Sequence, residues 1–86
     1  MSGLGRRLYR VEVCDGSQAW TTVVAARNKK SAERIARIVE AAKWGQPITW
    51  AGSAFEDLGY CSPQMLDAFE TMQARYGGRD LEAVND

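Results

Sequence analysis

The sequence contains no histidine. That removes the side chain most often used for acid–base catalysis near neutral pH, and the commonest metal ligand. Cysteine is scarce too. Cys14 and Cys61 are too few for a disulfide scaffold, and reduced thiols in a cytoplasmic setting are the expected state. A nucleophilic cysteine needs a base beside it, usually histidine, so both thiols read as small core residues. No apolar run approaches the ~18–20 residues of a membrane span. The opening MSGLGRRLYR is basic with no apolar stretch after it, and is not expected to be a secretory signal. CxxC and HExxH patterns are missing, and GSAFEDLG lacks the GK[ST] ending of a phosphate loop. The acidic pairs Glu56/Asp57 and Asp67/Glu70 fall on exposed-looking helical faces, whereas general acid–base chemistry places one of two carboxyls in a dry pocket. These absences together lead us to expect a protein that is not an enzyme and holds no metal or cofactor.

What is present points to one folded domain over residues 1–86. Apolar residues make up 45% and charged residues 26%, the balance of a globular chain rather than a disordered one. Eighty-six residues can bury one modest core without metal or disulfide staples. Net charge is zero, yet it is unevenly spread. Residues 1–44 hold nine basic and four acidic side chains, a balance of +5, and residues 45–86 hold two basic and seven acidic ones, a balance of −5. The two halves either attract each other within the fold or offer a partner two differently charged surfaces.

LYRVEVC, residues 8–14, alternates, with Tyr9, Val11 and Val13 on one face and Arg10 and Glu12 on the other, as in a half-buried strand. Asp15-Gly16-Ser17 is a turn signal, and AWTTVVAA at 19–26 completes a hairpin, with Trp20, Thr22, Val24 and Ala26 as its candidate inner face. Asn28 is a good N-cap. Ala32, Ile35, Ala36, Val39 and Ala42 then follow the helical period as a buried stripe up to Trp44, and Gly45 and Pro47 stop the helix. Opposite that stripe, Arg27, Lys30, Arg34 and Arg37 recur at spacings of 3, 4 and 3 and form a basic row flanked by Glu33 and Glu40, which can pair with Arg37. Ile48–Trp50 reads as a third strand. Ser53–Glu56 fits a capping box opening a short helical turn that Gly59 stops. Ser62-Pro63 caps a last helix running to Tyr76, with Met65, Phe69, Met72 and Tyr76 on one face. Residues 1–7 and 78–86 read as flexible ends. The expected class is α+β, in the order β-β-α-β-α, with a small, mainly antiparallel sheet and both helices packed on one face.

Candidate contact residues follow from this layout. Trp20 and Trp50 read as core, although with Trp44 and Tyr60 they could also form a stacking platform for bases. Trp44, at a helix end beside Lys43, is the tryptophan expected to reach solvent. Trp44 and Tyr60 are therefore candidate anchors, and Glu56, Asp57, Asp67 and Glu70 candidate acidic contacts for a basic groove on a partner.

In size, charge and layout the chain resembles the small inhibitors made by phages and mobile elements, in particular anti-CRISPR proteins. The likeness rests on the hairpin LYRVEVCDGSQAWTTVVAA, the Ala-rich helix SAERIARIVEAAKWG and the acidic second half. It implies a cytoplasmic binding module that sterically blocks a host protein or ribonucleoprotein complex of the CRISPR–Cas type. The runner-up is a nucleic-acid-binding accessory protein using Arg27, Lys30, Arg34 and Arg37, and a third reading is a structural module that oligomerises through its oppositely charged halves.

Overall fold

The computed structural model describes residues 6–52, 56–59 and 62–77. It contains six elements: strands β1 (Arg7–Cys14) and β2 (Ala19–Ala26), helix α1 (Lys29–Trp44), strands β3 (Trp50–Ala51) and β4 (Glu56–Gly59), and helix α2 (Pro63–Arg75). The class is α+β with a small antiparallel sheet, as expected, and it has one strand more than the sequence suggested.

β1 is central. β2 pairs with it along its whole length, from Arg7 opposite Ala26 to Cys14 opposite Ala19. β3 and β4 share the other side of β1 as two pieces of one interrupted strand, with Trp50 opposite Cys14 and Glu56 opposite Arg10. From Ala51 to Glu56 the outer chain advances five residues while β1 recedes three, from Val13 to Arg10, so the outer chain carries extra residues between the two pieces. Where the expected helical turn ends, Glu56–Gly59 is therefore a strand, and Ser53–Phe55 lie outside the described residues. The exposed donors and acceptors of β1's second side need partners, and this tertiary demand outweighs a local capping signal.

The hairpin turn is held by Asp15, whose carboxylate accepts hydrogen bonds from the backbone N–H of Ser17 (2.9 Å) and Gln18 (2.8 Å). Gly16 takes φ +102° there, a conformation L side chains rarely adopt. α1 begins at Asn28, whose side chain accepts from the Ser31 amide at 2.9 Å, and ends at Gly45 in the left-handed region with φ 68°. The helix is two-faced because its small and branched apolar residues recur every three or four positions. Ala32, Ile35, Ala36 and Val39 pack on Tyr9, Val11, Val13, Val24 and Ala26, with Ile48 closing that core. Burying each of these valines and isoleucines stabilises by roughly 1.5–3 kcal/mol. Ala42, expected on the stripe, is exposed, and Glu40 is buried in its place. Ile48 is buried beside β3 rather than within a strand.

α2 is capped by Ser62, which accepts from the Met65 amide at 3.3 Å, with Pro63 in the first turn. It packs against β2, and its inner residues are Leu66 and Gln73, not the expected Met65 and Tyr76. Met65 is 50% exposed. Leu66 and Phe69 meet Leu8, Val23 and Ala25, which by the strand register point away from α1, while Met72 reaches the α1-side core. The second helix thus straddles the β2 edge rather than sharing α1's face. Gln73 explains that position. Its side-chain carbonyl accepts from the Ala25 amide at 2.7 Å, and its amide donates to the Ala25 carbonyl at 3.2 Å, so one side chain closes the outer edge of β2 at this point. Arg6 forms an ion pair with Glu70, and Arg7 opens β1, so residues 6 and 7 belong to the fold and not to a flexible end. Met1–Gly5 and residues 78–86 lie outside the described residues.

Candidate functional site

The end of the sheet at the hairpin turn collects the tryptophans. Trp20 pairs with Val13 across the hairpin and so points to the α1 side, where Glu40 and Trp44 occupy successive turns of the helix. Glu40 is the hub. Its side chain is 2% exposed. One carboxylate oxygen, Oε1, accepts from Trp20 Nε1 (2.8 Å) and Trp44 Nε1 (3.0 Å). The other, Oε2, accepts from Thr22 Oγ1 (3.0 Å) and faces Lys43 Nζ (3.5 Å). Burial pushes the Glu40 carboxyl up. The indole and hydroxyl bonds and the Lys43 charge outweigh it, and the net direction is below the usual carboxylate range. A buried carboxylate is tolerable only when paired and hydrogen-bonded, and this one is both.

The consequence for Trp44 is unusual. The residue is 59% exposed, yet its N–H is fixed to a buried anion and its ring meets Trp20 nearly edge-on, with centroids 6.4 Å apart and planes 77° apart. Gln18, Trp20, Trp44 and Gln46 line a recess of about 240 Å³. Gln46 is tied down by its side-chain amide, which donates to Asp15 at 3.0 Å. Trp50 stands at the same end, opposite Cys14, and register places it on the other face, half open to solvent. It is therefore not the core residue expected. Cys14 is a half-buried free thiol whose sulfur accepts from the Gly16 amide at 3.4 Å. Cys61 and Tyr60 lie outside the described residues.

The basic row is brought together in part. Lys30, Arg34 and Arg37 line one open groove of about 630 Å³ with Glu33, and Ile38, Ala41, Pro47 and Ile48 form its apolar part. Arg27 precedes α1 and does not line that groove. Glu40 does not flank the row, since its carboxylate turns inward to the indoles. Glu33 stays beside the row and lies against Gly52, where an added Cβ would stand 2.9 Å from its carboxyl carbon.

The acidic candidates lie on two elements, β4 and α2. Glu56 and Asp57 are backbone members of β4, and their side chains lie outside the described residues. Asp67 is exposed on α2, where it lines a shallow surface with Gln64, Thr71 and Arg75. Glu70 is engaged by Arg6. α2 leans on the Leu8–Ala25 end of the hairpin and on Val23, and none of its residues lines the tryptophan recess. The sequence held one signal for the Glu40 hub that periodicity alone passes over. Glu40 and Trp44 are i and i+4 on one helix, and Trp20 and Thr22 share a strand face with polar tips that need partners once covered. Among the described residues there is no group of three or more metal-ligating side chains, and no helix is long and apolar enough to cross a membrane. No protein-family model, curated protein or solved structure matches the chain.

Proposed function

We propose that this chain is a non-enzymatic binding module for a protein or ribonucleoprotein, and that it acts as a small inhibitor of the anti-CRISPR kind by occupying a surface its target needs for nucleic acid or for movement. The observation that carries this reading is the Trp44 indole, open to solvent yet held in one orientation by Glu40 and Trp20. Tryptophan leads the residues that dominate interface energies. Ordering a mobile side chain on binding costs roughly 0.5–1.5 kcal/mol, and a ring already pinned avoids most of that. Gln18 and Gln46 line the recess beside it and add the polar character of an interface rim. Asp67 remains open as an acidic contact on α2, where it would steer encounter with a basic target more than it would hold the complex.

One observation favours the second reading, a nucleic-acid accessory protein. Lys30, Arg34 and Arg37 share a groove. Three phosphate contacts give a salt slope of about −2.7 in log–log form. Against it, Glu33 lines the same groove, and aliphatic rather than aromatic side chains complete it. Affinity purification of the tagged protein from cells that naturally express it, with nuclease treatment and mass spectrometry, tests the choice. A protein complex that stays bound after nuclease supports the first reading. Recovery of nucleic acid without a protein partner defeats it.

A further inference from the structure

The recess between Trp20 and Trp44 has a chemical character of its own. Its two indoles meet at 77° with centroids 6.4 Å apart, which gives a corner rather than the flat platform that stacks a nucleobase. Both indole N–H groups donate to the same carboxylate oxygen of Glu40. A donor bonded to an anion pushes electron density back into its ring, so both π faces become better partners for a cation. A second carboxylate stands at the rim. Asp15 holds Gln46 by its side chain and Gln18 by its backbone N–H, and both glutamines line the recess. Lys43 is the cation held against Glu40, at 3.5 Å from Oε2.

We propose that this recess receives the ammonium end of a lysine side chain, plain or N-methylated, presented by the protein partner. The indoles supply cation–π contact on two sides, and the carboxylates behind and beside them supply the opposite charge. The inference rests on the reading above only for the carrier of the lysine, because the recess itself is complete within one chain.

The test uses the isolated protein and a matched pair of probes: choline, and its neutral isostere 3,3-dimethyl-1-butanol. The three indole N–H resonances are followed by NMR, with Trp50, outside the recess, as the internal reference. Choline is expected to move the Trp20 and Trp44 signals saturably with a millimolar Kd and to leave Trp50 in place. The isostere should bind at least tenfold more weakly. Trp44→Ala should abolish the response of Trp20, and Asp15→Asn should weaken choline binding two- to fivefold, with amide dispersion verifying that each variant is folded. Equal shifts from the neutral probe, or no saturable shift at either indole, overturn the proposal.

Two further arms identify the source of the cation. Nα-acetyl-lysine methylamide and its N-trimethyl form should both compete with choline. Binding to phosphatidylcholine vesicles that depends on Trp44, with no competition by either lysine probe, overturns the assignment to a protein ligand. The outcomes stay separable from the functional reading. A silent recess with Trp44-dependent capture of a partner sinks only this inference, and a choline response without any partner sinks only the other.

Discussion

Replacing Glu40 by alanine is expected to destabilise the fold by about 2–4 kcal/mol. The substitution removes the acceptor of three hydrogen bonds, from Trp20, Trp44 and Thr22. A hydrogen bond to a charged group contributes roughly 1.5–3 kcal/mol, but the three do not count equally. Trp44 is open, so its N–H turns to water at little cost. Trp20 and Thr22 are half-buried and are left with unsatisfied donors, which sets the size of the loss. A domain of 86 residues holds roughly 4–13 kcal/mol in total, so the change is a large share of it. Glu40→Gln keeps a carbonyl that can accept from both indoles and should cost less, about 1–2 kcal/mol, for the lost charge and the misplaced amide donor beside Lys43. Urea denaturation followed by tryptophan fluorescence measures both. With m near 1 kcal/mol/M, the alanine variant's midpoint should fall by about 2–4 M. A loss below about 0.5 kcal/mol in Glu40→Ala would refute the reasoning, because the indoles would then be held by packing alone and Glu40 would not be their anchor.

Three further outcomes follow from the same geometry. The Glu40 carboxyl is depressed in the folded state, so its stabilising contribution is fully present above the ordinary glutamate value of 4.5 and is lost as pH falls below that through the folded value; urea midpoints should be flat from pH 7 to about 5, decline in more acid solution, and decline less in Glu40→Gln. Gln73→Ala strips both hydrogen bonds from the backbone of Ala25 and should cost about 1–3 kcal/mol, with concentration-dependent self-association through the uncovered β2 edge visible by light scattering. Asn28→Ala removes the cap of α1 and should cost about 1 kcal/mol in the same denaturation assay, without changing the spectrum of the tryptophan cluster.

The parts of this fold that could be read in advance are those whose causes are local. Asn28, Gly45 and the Ser62-Pro63 pair act within one helical turn of themselves, and each sits where its chemistry places it. The hairpin was legible because Asp15 and Gly16 build its turn from adjacent residues. The misreadings have long-range causes. Ser53–Glu56 is a sound capping box on paper, but the unpaired side of β1, more than forty residues earlier, takes Glu56–Gly59 as a strand. Gln73 gave no local signal because its partner is Ala25, 48 positions away. α2 carries apolar residues nearly all round, with Met65, Leu66, Ala68, Phe69 and Met72 in eight positions, so periodicity alone could not choose its inner face. Glu40 was hidden by its charge, since an acid on an alanine stripe reads as solvent-facing until the indoles that bond it are seen in space.

The central claim is that the pinned Trp44 indole, and not the basic groove, is the binding surface. The most direct measurement is the amount of partner captured by three folded proteins at equal concentration: the natural sequence, Trp44→Ala, and the double variant Arg34→Ala/Arg37→Ala. Losing an anchor worth about 2 kcal/mol weakens binding roughly thirtyfold, so Trp44→Ala should recover almost no partner below saturation, while the arginine variant should recover nearly the natural amount. Full capture by Trp44→Ala, with loss of capture in the arginine variant, would contradict the account and move the binding surface to the groove of Lys30, Arg34 and Arg37.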